Sequence, residues 1–148
     1  MKNKSYLKLT SIVYRSFHQI QRVISKDVSS YGLNDAEFGA LEVLYHKGKL
    51  PIIKVGHLML MGNSSMNYVV SKLKEKNFIL ESVDPKDRRN KWIELSLEGR
   101  EFFERIFEHH QNTLHEIYQI LDENEIDELM KILKKLGYHA QSIERTSS

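Results

Sequence analysis

Between Phe78 and Leu95 the spacing of apolar residues changes from a helical period to strand-like alternation, and this single change constrains the fold more than any other feature of the chain. Phe78-Ile79-Leu80-Glu81-Ser82-Val83 and Lys91-Trp92-Ile93-Glu94-Leu95 read as two strands. The turn-forming Asp84-Pro85-Lys86-Asp87 lies between them and predicts a β-hairpin with a charged tip.

On both sides of the hairpin the apolar residues recur every three or four positions. From about Tyr6 to Ser29, Val13, Phe17, Ile20, Ile24 and Val28 mark one face of a helix that Tyr31-Gly32 ends. Asn34 followed by Glu37 reads as an N-cap and capping box, opening a second helix with Phe38, Leu41, Leu44 and Tyr45 on its face and a stop at Gly48. Pro51, in a first helical turn, introduces a short third helix from Ile52 to about Leu60, broken by Gly62. Asn63 or Ser64 then caps a fourth, running to about Lys76, with Met66, Val69, Val70 and Leu73 inward. After the hairpin, a long helix from Leu97 carries Phe103, Ile106, Phe107, Leu114, Ile117, Tyr118 and Leu121. Asp122 and Glu125 cap a last helix bearing Ile126, Leu129, Met130, Leu133 and Leu136.

The 148 residues suit one small domain, with 41% hydrophobic and 28% charged residues and only seven Gly and two Pro, a mainly helical and non-repetitive composition. No apolar run reaches membrane-spanning length, and Met1-Lys2-Asn3-Lys4 lacks the apolar core of a signal peptide, so a cytoplasmic location is expected. The absence of Cys excludes disulfides, thiolate metal sites and cysteine nucleophiles together. A net charge of +2 is only mildly basic, yet Lys2, Lys4, Lys8, Arg15, Arg22 and Lys26 precede Asp27 without one acid, whereas 101–128 is acid-rich.

Two short helices joined by a tight turn and followed directly by a hairpin form a winged helix-turn-helix, an arrangement that holds one helix in a major groove and an arm beside it. With the apolar face of the fourth helix turned inward, Ser64, Tyr68, Ser71, Lys72 and Glu75 point outward, with Ser65 and Asn67 at the flanks. Ser and Asn side chains bond base edges or phosphates, and the first-turn NH groups suit a phosphate. The wing carries Lys86, Arg88, Arg89 and Lys91, and an arginine on a narrow arm probes an electronegative minor groove. Asp87 among them fits a DNA-facing surface as a carboxylate that orients a neighbouring Arg. The bland alternative for both features is a solvated helix face and a solvated turn.

Residues 69–106, VVSKLKEKNFILESVDPKDRRNKWIELSLEGREFFERI, resemble the recognition helix, wing and following helix of the MarR family of bacterial regulators. Asp87-Arg88-Arg89, then Ile93-Glu94-Leu95-Ser96 and Glu98-Gly99-Arg100, match that family's D-x-R and L-T-x-x-G pattern, with Ser96 for Thr and Asn77 for a frequent Gly. The resemblance covers essentially the whole chain. It implies a mainly α fold with a β-hairpin wing, a DNA-binding lobe over 33–96, and dimerisation helices over 5–31 and 97–140. It further implies a homodimeric repressor on a palindromic operator in double-stranded DNA. Ser64, Ser65, Asn67, Tyr68 and Lys72 would face the major groove, Arg89 and Arg88 the minor groove, with Lys91 nearby and Asp87 orienting. Ser30-Tyr31-Gly32-Leu33-Asn34 through Leu44-Tyr45-His46-Lys47-Gly48 is similar to the quinone-responsive branch of the family. A small aromatic, phenolic or quinone effector is implied, with Phe17, His18 and Phe38 as candidate lining, although ordinary core or interface roles are the plainer reading.

Other readings find less support. His109, His110 and His115, with Glu108 and Glu116, lie on one helix, but two His at i and i+4 are absent, and His109 and His110 are expected to point apart, so no metal or other cofactor is expected. No second His follows His115-Glu116, and neither a phosphate loop nor a nucleophile elbow occurs, so no enzyme is expected. A winged-helix protein–protein adaptor would not need Arg88 and Arg89.

Overall fold

The computed structural model describes residues 2–146, with side chains from residue 5 onward, so the side chains of Lys2 and Lys4 in the basic segment lie outside the described residues. The element order is α1 (Lys2–Ser30), α2 (Asp35–Lys47), β1 (Leu50–Pro51), α3 (Ile52–Leu58), α4 (Asn63–Glu75), β2 (Ile79–Val83), β3 (Lys91–Leu95), α5 (Leu97–Tyr118) and α6 (Glu123–Thr146). The residues group into two units, 1–113 and 114–148.

In the first unit one apolar core joins α2, α3, α4, the sheet and α5. Leu41 and Leu44 from α2, Val55 from α3, Met66 and Leu73 from α4, Ile93 from β3 and Phe103 from α5 are all fully buried. Each such side chain contributes about 1.5 to 3 kcal/mol by leaving water. Phe103 is the aromatic hub, with ring centroids 5.5 Å from Phe38, 4.9 Å from Tyr45 and 5.6 Å from Phe107. The expected face of α1 divides along its length. Val28 is buried and Ile24 packs on the core, whereas Val13 and Phe17 are exposed, because only the last turns of the helix reach the lobe.

The expected hairpin forms, with Ile79 opposite Leu95 and Val83 opposite Lys91, but burial does not alternate cleanly along it: only Ile79 and Ile93 are buried, and Val83, on the same side as Ile79, is exposed. The hairpin gains a third strand that the sequence did not suggest: β1 pairs antiparallel with β3, giving the order β1-β3-β2. Pro51 therefore ends a strand and serves as the N-cap of α3, not as its first-turn residue. This helix stops at Leu58, two residues early, because Leu60 adopts φ 56° and Met61 N–H turns back to the Gly56 carbonyl at 2.8 Å. Gly62, not Asn63 or Ser64, is the N-cap of α4, and no side chain caps it. A Cβ at Gly56 would meet Met66 Cγ at 2.9 Å and the Met61 carbonyl at 3.0 Å, so the missing side chain is what lets α3 and α4 close their angle.

The expected capping box of α2 is half made. Asn34 accepts from the Glu37 N–H at 2.8 Å, but the Glu37 carboxylate turns to Lys76. At α6 the box is reciprocal: Glu125 N–H donates to Asp122 at 2.9 Å and Asp122 N–H to Glu125 at 3.0 Å. Leu121 falls in the turn after α5 rather than on it. No residue of α6 is buried, and Leu129, Met130, Leu133 and Leu136 are all exposed.

Candidate nucleic-acid interface

On α4 the burial of Met66, Val69, Val70 and Leu73 leaves Ser64, Ser65, Asn67 and Tyr68 exposed in its first two turns. Since no side chain caps Gly62, the first-turn N–H groups have no side-chain acceptor there and are available to an anion. Lys72 is half-buried. Its ammonium sits 3.4 Å from Glu75 and 5.5 Å from the centre of the Tyr68 ring, so the side chain lies along the helix.

At the wing tip, Asp84 N–H donates to the Asn90 carbonyl and Asn90 N–H to the Asp87 carbonyl, closing a compact turn. Asp87 then accepts the Arg89 backbone N–H at 3.1 Å, the Arg89 Nε–H at 3.1 Å and an Nη2–H at 3.2 Å. The two-pronged bond from Arg89 lowers the Asp87 carboxyl below the usual aspartate range, with its backbone N–H adding to the effect. The same contacts point an arginine that is 90% exposed in a defined direction. Arg88 and Lys86 are exposed beside it. Lys91 lies 3.7 Å from Glu81, which also faces Lys74 at 3.3 Å, so the base of the wing is a small charge network.

Helix and wing meet in a cleft of about 180 Å³ lined by Pro51, Ile52, Ile53, Asn63, Asn67, Arg89, Asn90 and Lys91. Asn67, Arg89 and Lys91 thus share one concavity. Asn63, Asn90 and Ile53 line it too and were missed by sequence reading, since Asn63 was read only as a helix cap and the other two owe their place to the approach of β1 and the wing to α4.

The candidate effector residues divide. Phe17 and His18 neighbour each other on the exposed part of α1, with ring centroids 5.7 Å apart. Phe38 is a core residue, 4.5 Å between ring centroids from His110. The two histidines expected to point apart instead converge. His110 Nδ1 lies 2.7 Å from one oxygen of Asp27 and His109 Nδ1 lies 3.1 Å from the other, where Tyr31 O–H at 2.7 Å and Thr113 O–H at 2.9 Å also donate. The long reach of the imidazole and the closeness of α1 to α5 bring adjacent residues to one acceptor. Burial works against the Asp27 charge, but the bonds from His110, Tyr31 and Thr113 outweigh it and hold the carboxyl below its ordinary range. Burial, with the Asp27 carboxylate as acceptor, pushes the Tyr31 hydroxyl up. Among the described residues no group of three or more His, Cys, Asp or Glu is arranged to hold a metal ion.

The sequence profile of the MarR family matches residues 33–91. Over 135 residues the chain is 33% identical to the HTH-type transcriptional regulator MhqR of Bacillus subtilis, covering 91% of this chain and 93% of that protein. It is 25% identical over 129 residues to the transcriptional repressor MdtR of Bacillus subtilis, covering 87% and 83%. In fold it resembles a MarR variant of Escherichia coli complexed with operator DNA, with a TM-score of 0.80 at 16% identity, covering 89% of this chain and 95% of that one. It also resembles Bordetella bronchiseptica BpsR, whose DNA binding is regulated by 6-hydroxynicotinic acid, with a TM-score of 0.79 at 19% identity, covering 88% and 98%. The winged helix-turn-helix, the matched profile and the near full-length likeness to MhqR place the chain in the MarR family of transcriptional regulators.

Proposed function

We propose that the chain is a cytoplasmic repressor that binds a palindromic operator as a homodimer and leaves it when a small aromatic, phenolic or quinone effector binds. The observation that carries the DNA reading is the cleft in which the first turns of α4 meet a wing arginine held by Asp87. Ser64, Ser65, Asn67 and Tyr68 present short polar and aromatic groups to a major groove, and Arg89, with Arg88 and Lys91, a cationic arm to the minor groove beside it. The exposed apolar residues of α1, among them Leu7, Leu9, Ile12 and Phe17, and those of α6 support the homodimer, since in water such faces favour a partner copy. Small-molecule control is supported by the likeness to BpsR, whose DNA binding is regulated by 6-hydroxynicotinic acid. In a chain without Cys it would proceed by reversible binding, not thiol oxidation.

The test is a fluorescence anisotropy titration of the purified protein against the DNA upstream of its own gene, at several salt concentrations, with and without a panel of phenols and quinones. Binding that exceeds non-specific affinity by about a thousandfold or more, and that one compound releases, is expected. Binding no tighter than to random DNA would sink the repressor reading and favour a protein–protein adaptor.

A further inference from the structure

The two ends of the reading helix are held differently. At its start, Gly62 offers no side-chain cap and the preceding turn is exposed at Gly62 and Leu60. Just past its end, Lys76, Asn77 and Phe78 are fastened to the turn after α1, to α2 and to the β3–α5 junction. The Lys76 ammonium donates to the Gly32 carbonyl at 2.9 Å, in the turn that leaves α1, and to the Glu37 carboxylate on α2. The Asn77 carbonyl accepts the Ser96 hydroxyl at 2.6 Å, and the Phe78 carbonyl accepts the Ser96 N–H at 3.0 Å where β3 turns into α5.

We infer that Lys76 is a positioning residue for DNA recognition: its ammonium, clasped by Gly32 and Glu37, ties the C-terminal end of the reading helix to the exit of α1 and so sets where Ser64, Ser65 and Asn67 lie. A lysine at the end of a reading helix ordinarily serves as a phosphate contact. Here the side chain is two-thirds buried and its partner Glu37 is only 8% exposed, so the charge is spent inside the protein. Glu37 is freed for this contact because it leaves its capping box half made. Gly32 holds φ 77°, a left-handed conformation that directs its carbonyl and that a side chain disfavours. The start of the helix is held by apolar packing of Met66, Val69 and Val70 and its end by directed polar bonds, so a displacement of the α1 exit that reaches Lys76 alters the setting of the helix. Asp27, four residues before Tyr31, binds that exit to α5, and Lys76 adds a directed polar tie from the α1 exit to the reading helix beside the apolar packing through α2.

The inference rests on the DNA-binding reading, and two charge-removing variants of the full-length chain test it. Lys76→Met keeps the aliphatic stem and removes the ammonium, and Glu37→Gln removes the charge on a residue of α2 outside the proposed DNA surface. Specific operator affinity, affinity for random DNA and the salt slope would be measured for each, well below the melting temperature. Both variants should lose about tenfold in the ratio of specific to non-specific affinity, with an unchanged salt slope, and the double variant should lose no more than either alone. Lys76→Arg should recover part of the loss. If Lys76→Met instead lowers both affinities equally and the salt slope by about one, Lys76 is a phosphate contact and the inference fails. An unchanged ratio in Glu37→Gln also overturns it, since that variant keeps the lysine and the fold contacts around it. Wild-type protein that shows no specific DNA binding at all overturns the DNA reading itself, an outcome distinct from these.

Discussion

Arg89 and Asp87 show how one residue's role depends on the next. Free arginine at a turn samples many rotamers, and the two-pronged bond to Asp87, reinforced by the Arg89 backbone N–H, removes most of that freedom before DNA arrives. Arg89→Ala should therefore weaken operator binding about tenfold or more and flatten any preference for A·T at the wing position. Asp87→Asn, which leaves the guanidinium but loosens its hold, should give a smaller loss, and competition titrations with wing-position variants of the operator separate the two. Asp27 is the residue-scale feature that carries a pH dependence. Its carboxyl titrates lower when folded than when unfolded, so it stabilises the fold above the ordinary aspartate value of about 3.9 and the stabilisation disappears as pH falls through the folded value. Asp27→Asn should cost about 2 kcal/mol near neutrality, and urea unfolding from pH 7 to pH 3 should show the gap between wild type and variant closing below about pH 4. A gap that widens with acid would contradict the network.

At the scale of elements, the junction between wing and α5 is the tightest in the lobe. A Cβ on Gly99 would stand 1.9 Å from the Phe78 carbonyl oxygen, and Ser96 caps the helix by accepting the Gly99 N–H at 2.9 Å while donating to Asn77. That explains how the G of the L-T-x-x-G pattern works and how Ser96 fills the place of Thr, since the bonds of the cap are made by its hydroxyl. Gly99→Ala must push backbone against backbone and should destabilise the protein by about 3 kcal/mol, read as a lower midpoint in chemical denaturation. Asn77 shows the converse case. It adopts φ 60°, a left-handed conformation that asparagine tolerates better than other side chains.

At the scale of the whole molecule, many large apolar residues are left in water. In the second unit α6 buries nothing, although Leu129, Met130, Leu133 and Leu136 recur at helical spacing. Leu133→Asp places a charge in the middle of this stripe. On the proposed homodimer it should shift the protein toward monomers in sedimentation and weaken operator binding, because the proposed palindrome would need two reading helices at once. Unchanged sedimentation would mean that the stripe serves another partner. Among the described residues no helix is long and apolar enough to cross a membrane, so the stripe is not a spanning segment.

How much of this was legible in the chain follows from the range of the forces involved. The six helices, their order, the hairpin, the Asp122–Glu125 cap, the inward face of α4 and the Phe103–Ile106 part of the α5 face could be read, because periodicity and capping depend on residues only three or four apart, whereas Tyr118 proves exposed and Leu121 falls past the end of α5. Ser64, Ser65, Asn67, Tyr68 and Arg89 could be named for the same reason: once the buried face of a helix and the tip of a hairpin are known, their exposed residues follow. What could not be read depends on contacts distant in sequence. The third strand pairs Leu50 with Ile93, the cleft joins Asn63 to Asn90, and Glu37 finds Lys76 across 39 positions instead of completing its own cap. His109 and His110, which local geometry alone sends apart, meet on Asp27 because packing sets α1 beside α5. Short-range periodicity determined which surfaces exist on this protein, and tertiary packing decided which of their charged groups meet one another and which remain exposed.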